Sequence, residues 1–130
     1  MYFSIIIPVY NRPEEIKELI ESLLISDYSK EFEIVIVEDG SSITCEKEVE
    51  EFKNKLNISY HFKENTGPGD SRNYGMKVAK GDYFIIFDSD CIIPKQYILE
   101  VKKEVIAKFI AFCISEKYSN APSEPPKQST

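Results

Sequence analysis

The chain has 130 residues, 42% of them apolar, and a formal net charge of -6. That is enough for one domain burying about two-thirds of its unfolded surface, and it argues against global disorder. The acidic balance argues against non-specific binding of nucleic acid or anionic membrane, so an anionic ligand needs local arginine, backbone N–H groups or a metal.

The first element is Phe3 to Val9 (FSIIIPV), almost continuously apolar and β-branched, which predicts a strand covered on both faces. Pro8 must sit at its end, because it cannot donate to a ladder. Ile16, Leu19, Ile20, Leu23 and Leu24 then recur at helical spacing, with Pro13, Glu14 and Glu15 suited to the first turn. Glu33 to Val37 predicts a second strand. The turn EDGSS and a helix with Val49, Phe52 and Leu56 on one face follow. Ile58 to Phe62 predicts a third strand, and Asn65 to Gly69 (NTGPG) a turn.

A helix is expected from about Pro68 to Ala79, with Gly81 capping its end. Tyr83 to Phe87 predicts a fourth strand. A helix starting near Pro94 should bury Ile98, Val101 and Val105, and Phe109 to Ile114 (FIAFCI) reads as a last strand. This rhythm predicts an α/β fold: an open, mostly parallel, Rossmann-like sheet with helices on both faces. The domain is expected over residues 1–114. The Pro-rich segment 115–130 is expected as a flexible polar tail.

No apolar run reaches the roughly 18 residues needed to span a bilayer. Tyr2 to Tyr10 lacks the basic start and cleavage site of a signal peptide. Cys45, Cys91 and Cys113 have no metal-ligand spacing and read as reduced thiols of a cytoplasmic protein.

Ligands of open parallel sheets bind beyond the carboxyl ends of the strands. The first strand delivers Pro8, Val9, Tyr10, Asn11 and Arg12 there. The second delivers Glu38 and Asp39, and the fourth delivers Asp88, Ser89 and Asp90. Residues i and i+2 of an extended chain point the same way, so Asp88 and Asp90 can converge. Two close carboxylates repel unless a cation separates them, and oxygen ligands favour Mg²⁺ or Mn²⁺. The alternative is a solvated strand end and turn. Glu38-Asp39-Gly40-Ser41 suits a turn with a helix cap, or ligand groups that accept from a base or ribose. Arg72 suits a phosphate fork or an ordinary exposed helix position. NTGPGDSRNYG is not a dinucleotide fingerprint, because Arg72 stands at its third glycine position. His61, the only histidine, reads as structural.

Four pieces then coincide in order and spacing: SIIIPVYNR (Ser4 to Arg12), EIVIVEDGSS (Glu33 to Ser42), NTGPGDSRNYG (Asn65 to Gly75) and GDYFIIFDSDC (Gly81 to Cys91). Together they resemble the nucleotide-sugar-binding half of family 2 glycosyltransferases, over about residues 1–110. The resemblance implies the GT-A fold. It also implies transfer of a sugar from a nucleotide diphosphate, UDP first among them, to the hydroxyl of a glycan or lipid-linked acceptor, with inversion and a divalent ion, Mn²⁺ or Mg²⁺.

Residue by residue, Pro8, Val9, Tyr10 and Arg12 match the segment lining the nucleotide pocket, and Asp39 matches the acid that contacts uracil. Glu38 stands where many members carry another aspartate. Gly67 and Arg72 match the loop and helix near the nucleotide and sugar. Asp88, Ser89 and Asp90 match the D-x-D motif, with Asp90, and Asp88 beside it, toward the metal.

Family members continue into an acceptor half that supplies the general base, so no catalytic residue is identified in this chain. An alternative is a non-catalytic nucleotide-sugar-binding module. A nucleotidyltransferase ranks lower, because its Gly-rich first loop is absent from PVYNRPEE. An uncovered sheet edge is expected to promote self-association. The place of action is expected to be the cytoplasm or the cytoplasmic membrane face.

Overall fold

The computed structural model describes residues 1–26 and 29–119. Four strands form one parallel sheet: β1 (Phe3–Val9), β2 (Phe32–Asp39), β3 (Ile58–Lys63) and β4 (Tyr83–Ile86), in the order β3-β2-β1-β4. Helix α1 (Pro13–Leu24) joins β1 to β2, α2 (Glu46–Glu50) joins β2 to β3, and α3 (Pro68–Val78) joins β3 to β4. The first two crossovers step in one direction along the sheet, and the third steps back past β1. Right-handed crossovers therefore put α1 and α2 on one face and α3 on the other. The reversal lies between β1 and β4, which is where open α/β sheets form a crevice.

Register divides the side chains between the faces. Ile6 is paired with Val35, and Pro8 with Val37. Ile6, Val35 and Val37 pack against Tyr74, Met76, Val78 and Ala79, so this is the α3 face. The alternate residues Ile5, Ile7, Ile34 and Ile36 point the other way and are fully buried. Helix α1 buries Ile16, Leu19, Ile20 and Leu23, the apolar stripe its spacing predicts. Val49, Phe52 and Leu56 are buried as expected, but α2 is only five residues long. Turns carry the chain from Phe52 to Leu56.

Gly81 does not cap α3. The positive-φ glycines among the described residues are Gly40 and Gly67, and α3 ends with Ala79 in extended geometry. Gly81 instead crosses the start of β1. A Cβ there would lie 2.6 Å from Ser4 Oγ and 2.7 Å from the Ser4 backbone nitrogen. Its N–H donates to Ser4 Oγ (2.8 Å), and that hydroxyl donates to Glu33 (2.6 Å). Gly75 allows the same closeness on the α3 face, since a Cβ would run into Ile6.

β4 is one residue shorter than expected and forms the sheet edge. Tyr83, Phe84 and Ile86 are exposed on it.

The expected fifth strand at 109–114 is absent. Those residues belong to α4 (Tyr97–Ser119). A six-residue apolar run has no periodicity of its own to separate strand from buried helix. Here the helix formers before it (LEVKKEVIAK) decide the outcome. The chain divides into two units, Met1–Ile98 and Leu99–Thr130. Ile98 is buried as predicted, whereas Val101 and Val105 are only half-buried. Of the expected tail, residues 115–119 are helical, and residues 120–130 lie outside the described residues.

Candidate functional site

A cleft of about 180 Å³ opens at the carboxyl ends of β1 and β2, lined by Pro8, Val9, Tyr10, Asp39 and Pro68. Four of these residues are predicted from sequence. Pro68, beside the predicted Gly67, is the addition.

The β1 end is shaped by Asn11, whose φ of 52° is left-handed, a conformation in which Asn is several-fold enriched over other non-glycine residues. Its N–H donates to Ser41 Oγ (2.9 Å), and its Oδ1 accepts from the Ile43 amide (2.9 Å). This ties the β1 loop to the β2 loop and leaves Tyr10 half exposed beside the cleft. Arg12 lies along α1, with Nε 3.5 Å from Glu15, and is exposed.

Glu38 and Asp39 are neighbours in an extended strand, so they face opposite ways. Asp39 faces α3. Its Oδ1 accepts from Lys63 Nζ (2.9 Å) and the Thr66 amide (2.9 Å), and its Oδ2 accepts from the Gly67 amide (3.0 Å). Burial alone raises this carboxyl. The Lys63 hydrogen bond, the two loop amides and the Lys63 charge outweigh it and hold Asp39 below the usual carboxylate range.

Glu38 is wholly buried on the other face. It accepts from Ser41 Oγ (2.9 Å), the Cys45 amide (2.7 Å) and Tyr60 OH (3.1 Å). Burial, then the Glu38 charge, push the Cys45 thiol and the Tyr60 phenol above their ordinary values. Glu38 therefore faces away from Asp39 and braces the β2 loop.

Gly67 precedes α3 with φ 105° and ψ 162°, backbone that only glycine adopts without strain. Pro68 follows at the first helical position, and first-turn amides lack intrahelical acceptors. Arg72 is half-buried one turn later. A Cβ on Gly69 would lie 4.0 Å from its guanidinium, so Arg72 folds back over the helix start. It makes no ion pair or hydrogen bond among the described residues.

Asp88, Ser89 and Asp90 leave β4 as a solvated strand end and turn, the second of the two arrangements the sequence leaves open. The strand stops at Ile86, and the Cys91 amide donates to the Asp88 carbonyl (3.2 Å), closing a turn. The alternation of an extended chain therefore does not reach the two acids. Both are exposed, and Ser89 is half-buried, donating to Glu15 (3.3 Å). Among the described residues no three His, Cys, Asp or Glu side chains converge on one point. The chemistry of Asp88 and Asp90 still fits a hard divalent cation, because both offer carboxylate oxygens to open solvent, where ligand and water oxygens complete the shell.

Sequence reasoning missed Lys63. The signal was available in the register, because Lys63 is the partner of Asp39 across β2 and β3. Ending the third strand at Phe62 hid it. His61 lies on β3. It sits 3.1 Å from Ser59 and edge-on to Tyr74, and burial lowers its pKa.

The family model for glycosyl transferase family 2 matches residues 4–129. The chain is 41% identical over 99 residues to the poly(ribitol-phosphate) beta-N-acetylglucosaminyltransferase TarS of Staphylococcus aureus, covering 74% of this chain and 17% of that protein. It is 35% identical over 103 residues to the poly(ribitol-phosphate) beta-glucosyltransferase of Bacillus spizizenii, covering 76% of this chain and 16% of that protein. The crystal structure of S. aureus TarS 1–349 in complex with UDP-GlcNAc superposes with a TM-score of 0.74 at 38% identity, covering 79% of this chain and 30% of that one. The chain thus spans about one-sixth of the length of these curated relatives. No helix among the described residues is long and apolar enough to cross a membrane.

Proposed function

The chain belongs to glycosyl transferase family 2, and on that premise we propose that it binds a nucleotide-diphosphate sugar, UDP-linked, as the donor-binding part of an inverting, metal-dependent glycosyltransferase. The acceptor is a hydroxyl of a glycan or lipid-linked polymer, and the reaction runs in the cytoplasm or at the cytoplasmic membrane face. The observation that carries this reading is the cleft of Pro8, Val9, Tyr10, Asp39 and Pro68. It places an exposed ring beside a charged acceptor at the sheet edge where such folds bind ligands. UDP is favoured because the similar TarS is solved with UDP-GlcNAc.

The family resemblance and the geometry support these roles. Tyr10 offers a ring face to a base. Asp39 accepts an N–H from the base edge, held in place by Lys63, Thr66 and Gly67. The α3 start and the unpaired Arg72 supply positive potential to the diphosphate. Asp88 and Asp90 would hold Mg²⁺ or Mn²⁺, which as a Lewis acid neutralises charge on the departing diphosphate. The acceptor hydroxyl loses its proton to a general base, which none of these residues provides.

Thermal stabilisation by UDP, GDP and dTDP tests the reading, each with and without Mn²⁺, on the wild type and Asp90→Ala. A ligand at a hundred times its dissociation constant adds about 2.7 kcal/mol to the native state, a shift of several degrees. The expected result is a shift with UDP that needs both the metal and Asp90. No shift with any nucleotide overturns the proposal. Product detection with UDP-sugars separates transfer from binding alone.

A further inference from the structure

We propose that Lys63 determines base specificity, by fixing Asp39 as an acceptor-only group toward the cleft. This rests on the donor-site reading above. Lys63 ends β3 directly opposite Asp39 at the end of β2, so the two side chains leave the same face of the sheet. Both are largely shielded, with side-chain exposures of 15% for Lys63 and 8% for Asp39.

An ammonium has three protons and no acceptor. Lys63 directs them to Asp39 Oδ1 (2.9 Å), the Glu64 carbonyl (2.6 Å) and Thr66 Oγ1 (2.6 Å). No proton remains for a ligand. With the Thr66 amide also on Oδ1 and the Gly67 amide on Oδ2, the carboxylate keeps its open lone pair on Oδ2. The same lysine holds the loop that carries Thr66 and Gly67, so charge, rotamer and loop are set together.

A group that only accepts sorts bases by their edges. The imide N–H of uracil or thymine donates to it. The ring nitrogen at the same place in cytosine is an acceptor, and two lone pairs then face each other without a proton. Removing the ammonium unties Asp39 Oδ1 from the Glu64 carbonyl and Thr66 Oγ1, so the carboxylate is no longer held with its Oδ2 lone pair toward the base edge and the distinction between the two pyrimidines weakens.

The test is isothermal titration of the full chain with UDP and CDP in Mn²⁺ at neutral pH, for wild type, Lys63→Met and Lys63→Arg, with circular dichroism and melting of each. Lys63→Met, close in length and volume, is expected to lower the UDP-to-CDP affinity ratio by about tenfold or more, the scale of one hydrogen bond to a charged group. Lys63→Arg keeps the charge and should hold most of the ratio. A folded Lys63→Met with the wild-type ratio overturns the assignment, even if both affinities drop, because a purely structural role weakens the two nucleotides alike. If Lys63→Met does not fold, Lys63→Gln takes its place: a lowered UDP-to-CDP ratio with CDP affinity kept supports the assignment. Equal loss of both overturns it. Wild type binding neither nucleotide overturns the donor-site reading itself, an outcome distinct from unchanged selectivity.

Discussion

Replacing Glu38 by alanine removes the acceptor of three hydrogen bonds from a fully buried site. The Cys45 amide has no freedom to turn away, and an unsatisfied buried amide costs about 1–3 kcal/mol. The Ser41 and Tyr60 hydroxyls can rotate, and half-buried Tyr60 regains water, so each loses about 0.5–1.5 kcal/mol. The truncated side chain leaves a cavity that adds to the loss. Relief of the buried charge acts in the opposite direction, by up to several kcal/mol. The balance is a destabilisation of about 2–4 kcal/mol. Glu38→Gln keeps the volume and one acceptor and gives up the charge-assisted share, about 1–2 kcal/mol. Urea unfolding followed by tyrosine fluorescence measures both, and the slope of each transition should match wild type. UDP affinity should fall in the same order, because the Ser41 that Glu38 orients also holds Asn11. Glu38→Ala within about 0.5 kcal/mol of wild type, with unchanged UDP affinity, would refute the view of Glu38 as the support of the β2 loop.

Asp39 and His61 set the acid side of stability. The folded Asp39 pKa is depressed, so its contribution is complete above the unfolded value of about 3.9 and is lost as pH falls through the folded value. The folded His61 pKa is also lowered, so the unfolded chain takes up that proton first and a shallower loss begins below about pH 6.5. Denaturation midpoints against pH should show both limbs. Asp39→Asn should remove only the more acidic one and cost UDP affinity by about tenfold or more. On the exposed edge, β4 should drive concentration-dependent association in sedimentation velocity, and Phe84→Lys, at a residue 44% exposed, should suppress it. A monomer at every concentration would show that the edge is inert.

The parts of the fold that are legible in sequence are those with a periodic signal. The spans of β1 and α1 follow from FSIIIPV and from the Ile16–Leu23 stripe, because burial on both faces, or on one, leaves a distinct pattern. FIAFCI is too short to reveal its period, and its neighbours made it helix. The site was legible where the strand ends were. Pro8, Val9, Tyr10 and Asp39 line the cleft because strand termini project from one edge of a parallel sheet. Glu38 and Asp39 serve different faces, since consecutive residues of a strand point opposite ways. For Asp88 and Asp90 the sequence left an extended pair and a solvated turn both open, and a turn begins two residues after β4 ends, closed by a Cys91-to-Asp88 hydrogen bond that no local pattern announces. Lys63 needed the strand register, a long-range quantity that local pattern does not contain.

The order β3-β2-β1-β4 also bears on how the chain assembles as it leaves the ribosome. Ser4 meets Glu33 across 29 positions of sequence, whereas Tyr2 meets Asp82 across 80. Closing the longer loop costs about 0.9 kcal/mol more in chain entropy. Its return is a short edge strand rather than a core one. The nascent chain can therefore complete β1, β2 and β3 with α1 and α2 as a first cooperative unit. One side of β1 stays open until residues past Ile86 emerge. During that interval the central strand of the finished sheet is itself an edge, which makes it the segment for a chaperone to shield.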